Sequence, residues 1–284
     1  MKIVKSPLRY PGGKSRGLTE IARHLPPSFC EFREPMAGGG SVFVFMRQRF
    51  PDVKVWINDL NFDLFCFWKE AQRDVERLVA QIRETKIQET DGRLLFAKLR
   101  EIDRDTLSDF DRAVRFFILN RITFSGTVDS GGYSQKAFEG RFTDSSLQRV
   151  VELKPILKGI RITHEDYSTL LKTEGEGVFV FLDPPYLTAT QSRLYGQKGL
   201  LHTGFDHQRF GEDIHACKHQ WMITYDDAPE LRARFAWANQ HRWKLQYGMN
   251  NYKQEKAEAG AELILTNYPL HRAEFAFPAL SLDL

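Results

Sequence analysis

At 284 residues, with 42% hydrophobic and 27% charged positions, the chain is long enough for one large α/β domain or a core carrying an inserted module, and its composition excludes the disordered and collagen-like classes. Three scattered cysteines, Cys30, Cys66 and Cys217, exclude a disulfide framework and a zinc ribbon. The net charge, 40 − 37 = +3, is too small to announce nucleic acid, yet Lys2, Lys5, Arg9, Lys14 and Arg16 precede the first acid, which suits phosphate contacts.

The start carries no apolar h-region and no Ser/Arg-rich amphipathic pattern, and no apolar run reaches spanning length, so a cytoplasmic protein is expected. Tyr10-Pro-Gly-Gly-Lys-Ser15 invites comparison with a phosphate-binding P-loop. The comparison fails, because Leu8 stands where the first glycine should be. What remains is a turn presenting Lys14 and Tyr10. A short strand, Phe32 to Pro35, then enters the turn Gly38 to Gly40 and leads into an apolar helix, Val42 to Gln48, the strand–turn–helix setting of a nucleotide site. Glu34 ends that strand. After a second strand, Lys54 to Asn58, comes Asp59, placed as the acid that binds ribose hydroxyls.

Residues 62 to 157 lose the strand texture and show helix-length stretches of mixed charge: Asp63 to Glu84, Leu94 to Glu101 and Asp109 to Asn120. This block reads as a helical insertion. Inside it, Thr123 to Tyr133 is rich in Gly, Ser, Thr and Asp and reads as a loop that projects. Strand texture returns at Ile160 to His164, followed by Asp166 and Tyr167, and at Val178 to Leu182. The latter is apolar throughout, as suits a parallel strand buried on both faces. Asp183-Pro184-Pro185-Tyr186 follows at once. Two prolines cannot continue a ladder, so this end of the strand displays a carboxylate, carbonyls and an aromatic face where open α/β sheets bind ligands. Such a set can accept hydrogen bonds from an exocyclic amine while a ring stacks on Tyr186. His202-Thr-Gly-Phe-Asp-His207 reads as a loop and a helix capped at Asp206; no metal site is expected. Strands Trp221 to Tyr225 and Glu262 to Thr266 complete the pattern.

In this order, Pro7 to Lys14, Glu34 to Gly40, Asn58-Asp59, Asn120-Arg121, Asp166-Tyr167, Asp183 to Tyr186, Ile223 to Tyr225 and Leu263 to Tyr268, the chain resembles the N6-adenine-specific DNA methyltransferases of the alpha arrangement. The resemblance implies a Rossmann-like S-adenosylmethionine-dependent core, residues 1–60 and 158–284, with a target-recognition insertion at 61–157. It implies that Tyr10, Lys14, Glu34, Gly38 to Gly40, Asp59, Asp166, Tyr167 and Asp183 border the S-adenosylmethionine pocket. Asp183, Pro184, Pro185 and Tyr186 are the implied catalytic set, acting on a flipped-out adenine.

Double-stranded DNA is the expected partner, contacted by Arg121, Ser125, Asp129, Lys136, Arg141 and Arg193. The branch that methylates GATC carries Asn-Gly after the Asn-Arg pair and then a guanine-reading Arg; this chain has Ser125-Gly126 and then Asp129, which can accept from cytosine N4 but cannot donate to guanine. A site other than GATC is therefore expected. A monomer is expected, with a cognate restriction endonuclease as candidate protein partner. The rival readings are an RNA adenine methyltransferase, disfavoured by the insert and the N-terminal Lys segment, and a non-catalytic nucleic-acid-binding protein, disfavoured by the intact Asp183 to Tyr186.

Overall fold

The computed structural model describes residues 3–187, 204–245 and 260–270. Seven strands form one sheet: β1 (Glu31–Glu34), β2 (Lys54–Asn58), β3 (Arg161–Thr163), β4 (Val178–Leu182), β5 (Gln220–Asp226), β6 (Asn239–Leu245) and β7 (Gly260–Thr266). Their order is β3-β2-β1-β4-β5-β7-β6. The first five run parallel, while β7 is antiparallel to both β5 and β6. From β1 the chain steps outward to β2 and β3, then returns to the other side of β1 as β4. The strand order thus reverses between β1 and β4, and the crevice beyond their carboxyl ends is where such sheets bind ligands.

The texture of β4 and of β6 explains the place of each. Every residue of β4 is buried, as expected for a strand flanked on both edges and covered on both faces. No strand is expected from the sequence at β6. Asn-Gln-His-Arg-Trp-Lys-Leu lacks the apolar alternation of a half-buried strand because β6 is the outer edge, paired only to β7, and its residues are mostly half-buried or exposed.

Helices α1 (Leu18–Arg23) and α2 (Ser41–Arg49) flank β1. Between β2 and β3 lie α3 (Phe62–Arg73), α4 (Val75–Gln88), α5 (Gly92–Glu101), α6 (Asp109–Ile122), α7 (Gln135–Arg141), α8 (Asp144–Val151) and α9 (Lys154–Leu157). The expected helix Asp63 to Glu84 is in fact two. Asp74, with an extended φ of −156°, ends α3, and its carboxylate accepts from Arg77 N at 2.9 Å to cap α4. The aromatic seam of the block, where Phe67 stacks on Phe117 at 5.7 Å, belongs to one continuous core with Phe32 and Ile57 of the sheet. The far side of the sheet packs α10 (Tyr167–Lys172) and the helices His207–Ala216 and Pro229–Arg234. Among the described residues, no helix is long and apolar enough to cross a membrane.

Candidate active site

The N-terminal segment turns sharply at Tyr10-Pro-Gly-Gly. Pro11 and Gly12 occupy its corners, Gly12 at φ +69°, and Gly13 N donates to Tyr10 O at 3.1 Å; this is the type II turn that Pro followed by Gly favours. The turn aims Lys14 inward. Its ammonium, almost wholly buried, lies 2.7 Å from the Asp183 carboxylate and donates to Gly12 O at 3.0 Å. Asp183 leaves the end of β4 and is held from a second side by Thr224 Oγ1 of β5, which donates to it at 2.9 Å.

At the end of β1 the chain turns through Gly38 (φ +48°) and Gly40 (φ +73°), conformations open to glycine at little cost. Asp59 locks this turn to the end of β2: its carboxylate accepts from Gly38 N and Asn61 N, both at 2.8 Å. A Cβ on Gly38 or Gly39 would meet the Tyr10 side chain at 2.9 or 2.6 Å, so these glycines admit the Tyr10 ring, which roofs the turn. Gly40 in turn makes room for Phe43 and Trp68.

These pieces enclose a cavity of about 470 Å³. Tyr10, Lys14, Glu34, Gly38, Gly40 and Asp59 line one part of it. Asp166, Tyr167 and the whole of Asp183 to Tyr186 line the remainder, so every residue expected at the cofactor pocket or in the catalytic set faces one space. Glu34 is buried on its floor, and its Oε2 finds no hydrogen-bond partner among the described residues. Burial, reinforced by the charges of Asp183 and Asp59, pushes the Glu34 carboxyl well above its ordinary range. Burial also raises Asp59, against its two backbone hydrogen bonds.

Three further residues contribute to the site without being expected from the sequence. Tyr186 is tethered: its hydroxyl donates to Glu262 Oε2 at 2.5 Å, and Glu262 is buried in β7. A lone acid at the head of an apolar strand reads as solvent-facing, so nothing local marks it. Thr224 lay inside a matching motif without a role. Arg209, three residues beyond the Asp206 cap, reaches the cavity rim and pairs with Asp166 at 2.6 Å. Burial would raise Asp166, but hydrogen bonds from Ser168 and Arg209 hold it below the usual range. His202 and Arg193 lie outside the described residues.

The expected DNA contacts fare differently. Arg121 is buried, its Nε donating to Arg141 O at 2.9 Å and its Nη1 to Pro7 O at 2.7 Å. Desolvation lowers its pKa to about 9. It is a structural arginine that ties α6 to the N-terminal segment, and it does not present a guanidinium to a duplex. Asp129 is likewise engaged internally: its carboxylate pairs with Arg104, which also reaches Asp63. It is therefore not free to read cytosine. Lys136 and Arg141 are exposed, and Ser125 is half-buried with φ +53°. The loop Thr123 to Tyr133 does not project as a whole. Asn120 clamps the Arg9 backbone from both sides, and Gly126 packs so closely on Arg9 O that a Cβ would lie 2.2 Å away. Phe124, near its start, is exposed, and Gly126 holds the loop beside the segment that carries Tyr10.

Residues 10–249 match the family of D12 class N6 adenine-specific DNA methyltransferases. The chain is 27% identical over 201 residues to the type II methyltransferase M.MjaIII of Methanocaldococcus jannaschii, covering 64% of this chain and 69% of that one. It is 25% identical over 210 residues to the type II methyltransferase M1.LlaDCHI of Lactococcus lactis subsp. cremoris, covering 70% and 71%. It is 28% identical over 205 residues to the DNA adenine methylase of Escherichia coli (strain K12), covering 67% and 68%.

Proposed function

The chain belongs to the D12 class N6 adenine-specific DNA methyltransferases, and from that premise we propose that it takes its methyl group from S-adenosylmethionine and delivers it to an adenine flipped out of duplex DNA, at a site other than GATC. The observation that carries this reading is the meeting of the Asp59-pinned glycine turn with the Asp183 to Tyr186 arm around one cavity at the strand-order reversal.

The residues present fit that cofactor. A cavity of about 470 Å³ matches small-molecule sites. Glu34, buried with an oxygen that has no partner among the described residues, suits a ligand bearing positive charge or polar hydrogens. Asp59 would bind the ribose hydroxyls, Asp166 and Tyr167 would flank the cofactor adenine, and Tyr10 would close over the glycine turn. Bound S-adenosylmethionine supplies an electrophilic methyl on sulfur.

The protein's own part is positioning. An adenine inside a duplex hides its amine, so the base must leave the stack at a cost of a few kcal/mol. Stacking on Tyr186 returns roughly 1–3 kcal/mol. Hydrogen bonds supply the rest: the Asp183 carboxylate and the Pro184 carbonyl accept the two N6 protons, and Pro185 stiffens the arm that carries them. Acceptors outside the ring plane pull the nitrogen toward a pyramidal form whose lone pair points away from the ring. Holding it there is the main catalytic contribution, and no strong general base is needed, because methylation makes the nitrogen acidic. To reach the amine, Asp183 must exchange part of its pairing with Lys14, while Thr224 keeps it in place.

Target reading falls to the helices of residues 61–157, with the Thr123 to Tyr133 loop packed on Arg9 and exposed Lys136 and Arg141 on phosphates. The absence of a guanine-reading arginine after Gly126 still argues against GATC, although Asp129 is not the replacement reader. Two relatives are named type II methyltransferases, which suits a modification enzyme with a partner endonuclease. Labelled methyl transfer to duplex DNA, single-stranded DNA and RNA, with Asp183→Ala and Tyr186→Ala alongside, tests the reading. Duplex DNA should be the substrate and both variants should fail on it. Transfer to RNA alone, or efficient methylation of a duplex whose only sites are GATC, would contradict it.

A further inference from the structure

Outside the lining of the cavity, α1 and the edge strand β6 bring three ligating side chains together. Glu20 and His24 stand one helical turn apart on α1 and its C-cap, so both face the same way. His241 of β6 faces them. Nε2 of His241 lies 2.9 Å from Glu20 Oε1, and Nε2 of His24 lies 3.3 Å from the same oxygen. All three ligand atoms fall within 4.8 Å of one another, and the two rings are 4.3 Å apart. Around a tetrahedral zinc-class ion with bonds of about 2.0–2.2 Å, ligand atoms stand roughly 3.3–3.5 Å from each other. We propose that Glu20, His24 and His241 form a site for a divalent transition metal of the zinc class, with water as fourth ligand, clipping α1 to the outer edge of the sheet.

The surroundings suit that task. Arg23 Nη1 occupies Glu20 Oε2 at 2.7 Å, which leaves Oε1 turned toward both imidazoles. His24 is buried, and its Nδ1 has no hydrogen-bond partner among the described residues. No second group therefore fixes its tautomer, and the ring can carry its proton on Nδ1 while Nε2 offers a lone pair. Coordination replaces two N–H···O bonds with two N–metal bonds; each proton moves to Nδ1, and nothing is oxidised or reduced. Glu20 and His241 remain 19% and 28% exposed, which gives the ion a path in. Two imidazoles and a carboxylate suit zinc, cobalt or nickel rather than magnesium or calcium.

None of the three residues lines the catalytic cavity. The same elements already touch nearby, where Gly17 approaches Trp243 so closely that a Cβ would lie 2.7 Å from its ring. An ion here would therefore stiffen the strap whose other end carries Tyr10 and Lys14. A search of the sequence for paired histidines passes over the site, because Glu20 and His241 are 221 positions apart.

The test uses full-length protein stripped with a chelator and titrated with Co2+ as probe. The expected result is one cobalt per chain, visible bands of a four-coordinate site, displacement by Zn2+ and a raised Tm. His241→Gln retains a hydrogen-bond donor to Glu20 but is a poor ligand. It should keep its fold by circular dichroism, weaken binding by on the order of tenfold or more and abolish the Tm shift; Glu20→Gln should act likewise. Failure to take up cobalt, uptake unchanged in both variants, or uptake lost instead in Cys30→Ser or Cys217→Ser would overturn the proposal, and each result is independent of methyl transfer.

Discussion

Replacing Asp183 by asparagine tests the charge of the cavity at constant shape. The introduced amide can still accept from Thr224 Oγ1, which donates at 2.9 Å in the wild type. What disappears is the carboxylate 2.7 Å from an ammonium that is 3% exposed. At that distance and an effective dielectric near 20, two unit charges attract by roughly 6 kcal/mol before desolvation is counted. Removing one partner of a fully buried pair costs about 3–5 kcal/mol. Because the Asp183 side chain is 23% exposed, water relieves part of this, and a loss of about 2–3 kcal/mol follows. At this chain length that is a fall in Tm of about 4–6 °C.

The rate should fall for a separate reason. A charge-assisted hydrogen bond contributes about 1–2 kcal/mol more than a neutral one, which is roughly a five- to thirtyfold loss in kcat/KM. Asp183→Ala removes the acceptor altogether and should lose more than about a hundredfold. Single-turnover transfer of a tritiated methyl group to duplex DNA, beside thermal melts of the unliganded proteins, measures both effects. An asparagine variant with wild-type Tm and wild-type kcat/KM would refute the reasoning, because the charge would then be idle.

Glu34→Gln should stabilise the unliganded protein and weaken cofactor binding. The Glu34 carboxyl titrates well above its ordinary value in the fold, so as pH rises past about 4.3 the unfolded chain ionises while the fold stays protonated. Wild-type stability then drops by up to about 1.4 kcal/mol per pH unit until the folded group ionises too, and the glutamine variant escapes this; urea melts from pH 5 to 8 should show a widening gap, and a constant gap would count against it. Gly40→Ala places a Cβ 2.5 Å from Phe43 and 2.6 Å from Trp68 at φ +73°, so it should cost about 2–5 kcal/mol by urea unfolding. Tyr186→Phe and Glu262→Ala remove the same tether, so their losses in kcat/KM should overlap by about 1 kcal/mol in a double-mutant cycle, and strict additivity would break the link. Arg121→Met should lower stability and leave the salt dependence of DNA binding unchanged, whereas Arg141→Ala should reduce that slope by roughly one.

β4 was legible because a strand buried on both faces writes itself as an apolar run, as Val178 to Leu182 does. The cavity was legible because its chemistry sits at strand ends: Asp183 follows directly on that run, Asp59 follows β2 and Glu34 closes β1. β6 was not, since an edge strand is free to be polar. Arg121 and Asp129 misled for the opposite reason. A charged residue in a loop or on a helix reads as surface, and only the fold shows Arg121 spending its guanidinium on the Pro7 and Arg141 carbonyls and Asp129 spending its carboxylate on Arg104. The tether of Tyr186 to Glu262 spans 76 positions and leaves no local trace.

A crystal structure of the protein with a non-reactive cofactor analogue and a duplex bearing its target site measures the central claim most directly. It should place one adenine outside the stack against the Tyr186 ring, with its N6 within about 3 Å of the Asp183 carboxylate and the analogue's sulfur-bearing end on the Glu34 side. An adenine still paired in the helix, or one held elsewhere while Asp183 remains closed on Lys14, would contradict it.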